Sequence, residues 1–533
     1  MYTATSFTLS SPEPHQPAMN PVSLFNDVIG PVMRGPSSSH CAAALRIGRL
    51  ARDLMQGEIQ DVLVEFDENG SLPATHESQG SDMGLFGGLL GWNADDPRLP
   101  ESAAALQAAG ITLKIITIAV NDSHPNTYRL TLKNATAQHS LIAISTGGGM
   151  IEVISIDGVP LSMDGGYHET LLWYPKTQLP KLSAAIVHTH DLGHAWLVHL
   201  KDDHFHEPSE PKPLATRHLA PVLPVPSRPN IVLPFRDCNS MLAWDGEQNT
   251  PLHELALRYE CDRGALSRED VRSKMRHIVD ILETSIRSGL AGTSYTDRVL
   301  HSQSPLFSSA LQRGRLLNAG ALNQIILNVS AMMEVKSSMG VIVAAPTAGA
   351  CAALPGAVIG MADSMGKGIE EKVDAFLAAG LIGIFIATRW TFAAEVGGCQ
   401  AEGGSASAMA AAALVTLANG TRNQAVAAAS MALQNTLGLI CDPIANRVEA
   451  PCLGKNLMAA SNALTCANIA LAGFDPLIPL DEVIDAAKAV SDRMPREHRC
   501  TSLGGLAATP TSRTIEARLT AAKSRSCAAC HCG

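Results

Sequence analysis

Gly397-Gly398-Cys399-Gln400-Ala401-Glu402, taken with Cys441-Asp442-Pro443 and Pro451-Cys452, is the stretch on which the reading of this chain turns. The three cysteines stand as C-x41-C-x10-C, and their glycine and proline neighbours place them in loops and not inside helices. Soft thiolate sets of this kind suit zinc, copper(I) or iron–sulfur clusters. A structural zinc site closes with four ligands, often as two tight C-x2-C pairs, and no such pairs accompany these three. Two readings stay open on spacing alone. One is a [4Fe–4S] cluster with an iron left free to act as a Lewis acid; the other is three buried cysteines packed as small hydrophobes.

Composition narrows the field. A chain of 533 residues, at roughly 100–200 residues per domain, has room for two to four domains. Apolar residues make up 46% and charged residues 17%, which describes a globular protein. The net charge of -10 and the lack of a Lys/Arg run exclude nucleic acid as a partner, because phosphates demand a basic face. The 12 cysteines are scattered, and the first residues lack the basic-then-apolar pattern of a signal peptide, so reduced thiols in the cytoplasm are expected. The longest apolar run, Ala375 to Thr388, meets Arg389 and falls short of the ~20 residues a membrane span needs. It reads as a buried core helix, with no membrane association.

The pattern along the chain divides it into five parts. Residues 1–20 are rich in Ser, Thr and Pro without periodicity and read as a disordered leader. Residues 21–175 mix strands at 61–66, 112–120, 141–144 and 151–156 with helices at 42–55 and 85–90, an α+β domain. Residues 176–251 are dense in Pro and His and read as a connector with local structure. Within it, His188-x-His190-x3-His194 would place two imidazoles one helical turn apart, as a metal site requires, though no acidic or cysteine partner is fixed by the spacing. Residues 252–515 show apolar residues at three- and four-residue steps over 272–290, 310–333, 368–394, 405–418, 421–437 and 480–493, an all-helical domain. Residues 516–533 form a Cys-rich tail. The expected fold is therefore an α+β N-terminal domain followed by an all-α domain that carries all three cysteines.

Shorter motifs are ambiguous by themselves. Ser405 is placed to cap the Ala-rich helix after Gly404, and a helix N-terminus near Cys399 favours its thiolate. Ser37-Ser38-Ser39-His40 follows Gly35-Pro36 and precedes an apolar helix, so its hydroxyls suit either helix capping or holding a carboxylate. Gly147-Gly148-Gly149 lacks the spacing of a dinucleotide site and reads as a turn between strands. Cys351, within Ala350-Cys351-Ala352, reads as core packing.

Together, GCQAE, CDP-x7-PC and GPSSSH resemble the iron–sulfur L-serine dehydratases, and the resemblance runs from Ser23 to Arg513. It implies a [4Fe–4S] cluster on Cys399, Cys441 and Cys452 and a carbon–nitrogen lyase that eliminates water from L-serine without pyridoxal phosphate. It brings Ser37, Ser38 and Ser39 to the substrate, and His40 with them. It also marks Lys336-Ser337-Ser338-Met339-Gly340 and the stretch to Thr347, with Ser337, Ser338 and Thr347 as substrate or cluster neighbours. Two departures stand out: Cys41 replaces the threonine usual after the histidine, and Gln79 occupies the position of the family's candidate base. An amide cannot take up a proton usefully at neutral pH, which leaves His76, Glu77 or His40 for that role. The resemblance further implies a C-terminal cysteine that caps the free iron, for which Cys532 is the candidate; a mobile, metal-scavenging tail of Cys527, Cys530 and Cys532 is the alternative. The rival functions are β-elimination from a related amino acid such as cysteine, a cluster-bearing sensor without catalysis, and a zinc-stabilised binding module. The expected partner is a small amino acid, and a homo-oligomer is compatible with the chain.

Overall fold

A computed structural model describes residues 21–180, 184, 186–207, 210–295 and 298–530. The first half is built on strands. After β1 (Val32–Arg34) and α1 (Ala43–Leu54) come β2 (Asp61–Asp67), α2 (Leu72–Thr75), α3 (Ser81–Leu89), α4 (Ser102–Ala108), β3 (Thr112–Ile118), β4 (Thr127–Lys133), β5 (Gln138–Gly147), β6 (Met150–Ile156) and β7 (Val159–Met163). The sheet runs β3-β2-β4-β5-β6-β7, with β2 and β3 parallel and the remaining pairs antiparallel. Alternation decides its faces. Val62, Val64 and Phe66 of β2 turn inward, where they meet Ile47, Leu50 and Leu54 of α1 and Leu85 and Leu89 of α3.

The Pro- and His-rich stretch holds more regular structure than a connector. It supplies β9 (Ile186–Asp191), β10 (Ala195–Asp202) and β11 (Ala215–Leu219), which join β8 (His168–Pro175) in an antiparallel sheet of order β11-β8-β10-β9. Histidines and prolines masked the alternation of Trp196, Val198 and Leu200 in β10, of which the last two are buried. His188 and His190 lie on β9, opposite His199 and Leu197, and not on a helix. They share a strand face, and His194 falls in the turn beyond.

From α5 (Cys238–Asp245) onward the chain is helical apart from β12 (Val341–Val343): α6 (Leu252–Gly264), α7 (Arg268–Ala291), α8 (Ser304–Gln312), α9 (Ala321–Ser337), α10 (Ala353–Ser364), α11 (Ile369–Arg389), α12 (Ala394–Gly397), α13 (Ser405–Leu417), α14 (Arg422–Gln434), α15 (Cys452–Leu471), α16 (Leu480–Arg493) and α17 (Pro510–Cys530). The helix expected over 310–333 is two helices, divided at Asn318-Ala319-Gly320, a breaker run. The pattern did not announce α10 and α15, which are rich in small apolar residues and carry little periodicity. α11 contains the Ala375–Thr388 run and lies in the core, with Ala375, Phe376, Leu377, Ile382 and Phe385 fully buried. No helix among the described residues is long and apolar enough to cross a membrane.

The two halves are sewn together near the N-terminus. Ser23 Oγ donates to Glu260 of α6 at 2.7 Å, and Leu24 N donates to the same carboxylate at 2.9 Å. β1 then pairs antiparallel with β12, Val32 opposite Val343 and Arg34 opposite Val341. The pairing is extended by Gly30 N to Ala344 O at 2.9 Å and Gly35 N to Gly340 O at 3.2 Å. A Cβ at Gly35 would lie 2.0 Å from the carbonyl oxygen of Lys336, so only glycine lets the turn before Ser37 rest on the end of α9.

Gly35→Ala is expected to force that turn away from α9 and to cost about 1–3 kcal/mol of stability, the range for overpacking a tight contact. The denaturant midpoint of the variant would be measured; a midpoint equal to the parent's would show that the seam tolerates the methyl group.

Candidate active site

The thiol pocket is assembled by the sequence around Cys399. Gly398 has φ +68, and a Cβ there would lie 2.9 Å from the carbonyl oxygen of Leu439, so the chain turns sharply against the 439–441 segment. Gln400, fully buried, clamps that approach. Its side chain donates to Ala487 O at 3.1 Å and Ser491 Oγ at 2.9 Å on α16 and accepts from Gly438 N at 2.8 Å, while its backbone N donates to Leu439 O at 2.9 Å. Residues 400–404 then form a wide turn that continues without a break into α13. Ser405 does not cap that helix, as sequence suggested, because the wide turn supplies the preceding helical residues; its Oγ is buried and lacks a hydrogen bond. The helical N-terminus is moved back to Cys399.

Cys441 faces Cys399 on one side and Cys500 on the other, each in side-chain contact. Cys441 N donates to His498 O at 2.8 Å and Cys500 N donates to Cys441 O at 3.1 Å, a short parallel bridge that brings residues 498–500 alongside. Cys452 opens α15 and is buried, within electrostatic reach of Cys399. Asn456, one turn later, accepts from Ala353 N at 3.1 Å and donates to Gly349 O at 2.9 Å, which ties this turn to the 349–353 segment. Cys500 escaped the sequence reading because it lies in no motif; the signal that finds it is its register with Cys441. Cys532 lies outside the described residues.

The pocket is strongly polar. Lys455 Nζ donates to Ile440 O at 2.6 Å and to Asp442 at 2.5 Å and lies 3.6 Å from Cys399 Sγ. Asp442 also accepts from Leu506 N at 2.8 Å, holding the 500–506 segment over the thiols. Glu402 has a carboxylate oxygen within 4.8 Å of the sulfurs of Cys399 and Cys441. Burial pushes its carboxyl up to about 7, Glu395 adds to the rise, and a hydrogen bond from Thr347 opposes it. Contacts with Cys399 and Cys500, and then burial, push the Cys441 thiol far up; burial does the same at Cys452. A crowded set of thiols that resists ionisation by itself, with an ammonium at its edge, fits a cationic metal centre that neutralises the thiolates. Ser337, the last residue of α9, and Glu449 both hydrogen-bond Tyr295 in the segment between α7 and α8. Cys351 is fully buried in the helical core, and burial pushes its thiol up to about 12.

The second polar group lies on the N-terminal half. Ser37 Oγ and His40 Nδ1 are 3.0 Å apart, and His40 Nε2 and Thr75 Oγ1 are 2.9 Å apart. Thr75 donates its own proton to Ser71 O at 2.7 Å, so it accepts from His40 Nε2–H, and Nδ1 accepts from Ser37. Burial pulls His40 down to about 4, so it is neutral at physiological pH. Ser38 is buried, and Ser145 Oγ donates to Ser39 O at 2.7 Å, which lets the Gly147–Gly149 turn brace the motif. His76 Nδ1 lies 2.7 Å from Asp82 Oδ1, and that hydrogen bond holds the imidazole above its usual pKa. Glu77 is exposed, and its charge adds to the field on His76. Gln79 is half-buried, with its backbone N donating to Thr75 O at 2.9 Å. Cys41 is fully buried against Leu45 and Leu99, so this departure from the family pattern falls in packing.

Known proteins resemble this chain over most of its length. Residues 247–507 match the family model described as "Serine dehydratase alpha chain". The chain is 35% identical over 285 residues to the probable L-serine dehydratase alpha chain of Bacillus subtilis, covering 54% of this chain and 95% of that one. It is 38% identical over 146 residues to the probable beta chain of the same organism, covering 27% of this chain and 66% of that one. Against L-serine dehydratase 1 of Escherichia coli it is 27% identical over 493 residues, 89% of this chain and 96% of that one. The chain belongs to the iron–sulfur L-serine dehydratase family, with an alpha-chain portion and a beta-chain-like portion in one polypeptide.

Proposed function

We infer that this chain converts L-serine to pyruvate and ammonia, with a [4Fe–4S] cluster held by Cys399, Cys441 and Cys452. The observation that carries this reading is the convergence of Cys399 and Cys441, 42 positions apart in sequence, in a polar pocket of a chain that matches serine dehydratases at both ends. When bound, the cluster supplies an iron that polarises the carbon–oxygen bond of the substrate. The chain's own residues do the rest. An imidazole takes the α-proton and a proton is returned from the imidazolium to the departing β-hydroxyl, which leaves as water; the aminoacrylate formed becomes an imine that water hydrolyses to pyruvate and ammonia.

Two imidazoles are available, and their surroundings divide the work. His40 spends both ring nitrogens on Ser37 and Thr75 and is a poor proton acceptor, so it orients the Ser37–Ser39 turn. His76 has a carboxylate behind Nδ1, which leaves Nε2 as the basic atom. We assign the base to His76, with Glu77 as a contributor to its field. Ser37, Ser38, Ser39, Ser337, Ser338 and Thr347 are assigned to holding the substrate and the pocket wall. Cys500 is a fourth thiol of the pocket, in contact with Cys441. The nine cysteines whose side chains are described are all free, which suits a reducing cytoplasm. The placement of Cys41 in the core removes one support for a substrate other than serine.

Cys399→Ser, Cys441→Ser and Cys452→Ser are each expected to lose iron and the visible absorbance of anaerobically prepared protein together, while Cys351→Ala keeps both. Full iron in the Cys441→Ser protein would remove that residue from the ligand set.

His76→Gln is expected to lower kcat by roughly 10²–10⁴-fold, the usual contribution of a positioned base. The pH profile carries the sign. The base works deprotonated, so activity falls as pH drops through the His76 pKa, and the Asp82 hydrogen bond raises that pKa. Asp82→Asn should therefore shift the acid limb of kcat/KM to lower pH; a shift to higher pH, or none, would exclude His76 as the group observed.

A further inference from the structure

Lys336, in the last turn of α9, is fully buried, and its Nζ has no hydrogen-bond partner. No ion pair among the described residues includes it. A buried ammonium without a partner is among the most costly groups a fold can carry, and its three donors remain available to an arriving anion. The neighbourhood says where that anion would lie. Lys336 lies within electrostatic reach of Cys452, Cys351 and Glu402, so its side chain stands beside the thiol pocket. Its backbone oxygen is the atom on which Gly35 rests, two residues before Ser37. Lys336 thus stands where the serine-rich turn of one half meets the metal pocket of the other.

The other cations here are engaged. Lys455 is committed to Asp442, to Ile440 O and to the edge of Cys399. Arg34 donates to Met339 O at 3.3 Å and Asp96 O at 3.1 Å. An amino-acid substrate brings an α-carboxylate that has to leave water, and a buried carboxylate needs a counter-charge. We propose that Lys336 binds the α-carboxylate of the substrate and sets the requirement for that group. This rests on the reading of the chain as an amino-acid lyase. Lys455, at the edge of Cys399, already answers the negative charge on the metal side, which leaves Lys336 for the substrate. The unpaired ammonium of the free enzyme becomes paired when substrate enters, so part of the cost of its burial is recovered in binding.

The test uses the full chain, reconstituted anaerobically, with Lys336→Met and Lys336→Gln. L-Serine is compared with L-serinamide, which keeps the hydroxyl and amine but has no carboxylate. Turnover of L-serine by the parent is measured first; its absence would sink the serine dehydratase reading and not this assignment alone. With that activity in place, Lys336→Met should raise KM for serine roughly 10- to 100-fold, as expected for loss of a charged hydrogen bond. Its inhibition constant for serinamide should stay within about twofold of the parent, inside the spread of unrelated changes. Iron content and visible spectrum should be unchanged, and the substrate-free melting temperature should rise, because an apolar chain of similar length replaces an unpaired charge. Equal losses for serine and serinamide, or loss of iron in both variants, would assign Lys336 to the metal side and overturn the proposal. A lower melting temperature in both variants, or failure of both to fold, would make the ammonium structural and overturn it as well.

Discussion

The pairing of β1 with β12 is the contact on which the rest of this structure depends. It is only three residues long on each strand, yet it is the place where the strand-built half and the helical half share backbone hydrogen bonds. A short two-stranded pairing is marginal by itself. This one survives because Met33, Ile342 and Val343 are fully buried in the helical core and because the chain just before it is already anchored by Ser23 and Leu24 on Glu260. Register then does the chemistry's positioning. With Arg34 opposite Val341, the next residues in each direction are the serine-rich turn and the end of α9. A slip of one residue would turn Met33 out of the core and carry the turn before Ser37 away from the end of α9.

The metal pocket is organised by a different constraint, the need to hold thiols together that resist being charged. The chain meets it with polar clamps, of which Lys455 also reaches a sulfur, that of Cys399 at 3.6 Å. Gln400 fixes Cys399 through α16 and the 438–439 backbone, Asn456 fixes the turn of Cys452, and Asp442 with Lys455 fixes the segment that carries Cys441 and covers it with Leu506. Gln400, Asn456 and Asp442 are buried polar groups with their bonds satisfied, and such networks specify one geometry. Lys336 Nζ and Ser405 Oγ, both buried without a hydrogen bond, are exceptions to that satisfaction.

How much of this was legible beforehand depended on whether the signal was local. The helices over 272–290, 405–418 and 480–493 were visible because one face is apolar and the breaks are marked by Gly, Pro or Asn. α10 and α15 were not, since an Ala- and Gly-rich helix buried on most sides has no polar stripe. β9 to β11 were hidden by histidines that happen to occupy strand positions. In the site, GCQAE named both a thiol and its clamp. The closeness of Cys500 to Cys441 could not be read, because a bridge between residues about 60 apart leaves no periodic trace. Cys41 shows the converse error: a departure inside a functional motif looked chemical and proved to fill a hydrophobic gap beside α3.

The two histidines show why residue type alone did not settle the chemistry. Both lie in motif-bearing stretches, and both have a pKa displaced from the ordinary value, in opposite directions. His40 is surrounded by hydroxyls that bond its neutral form and by apolar walls that penalise the charged one, so it is kept as a fixed, uncharged connector between Ser37 and Thr75. His76 has an anionic partner that stabilises the charge it would gain, and its ring, beside Phe66 at 5.3 Å, is held at one orientation. A base must accept a proton and keep its direction while doing so, and only the second arrangement provides both. The turn that carries Gln79 also carries His76, and Asp82 is the residue that holds the His76 imidazole in place.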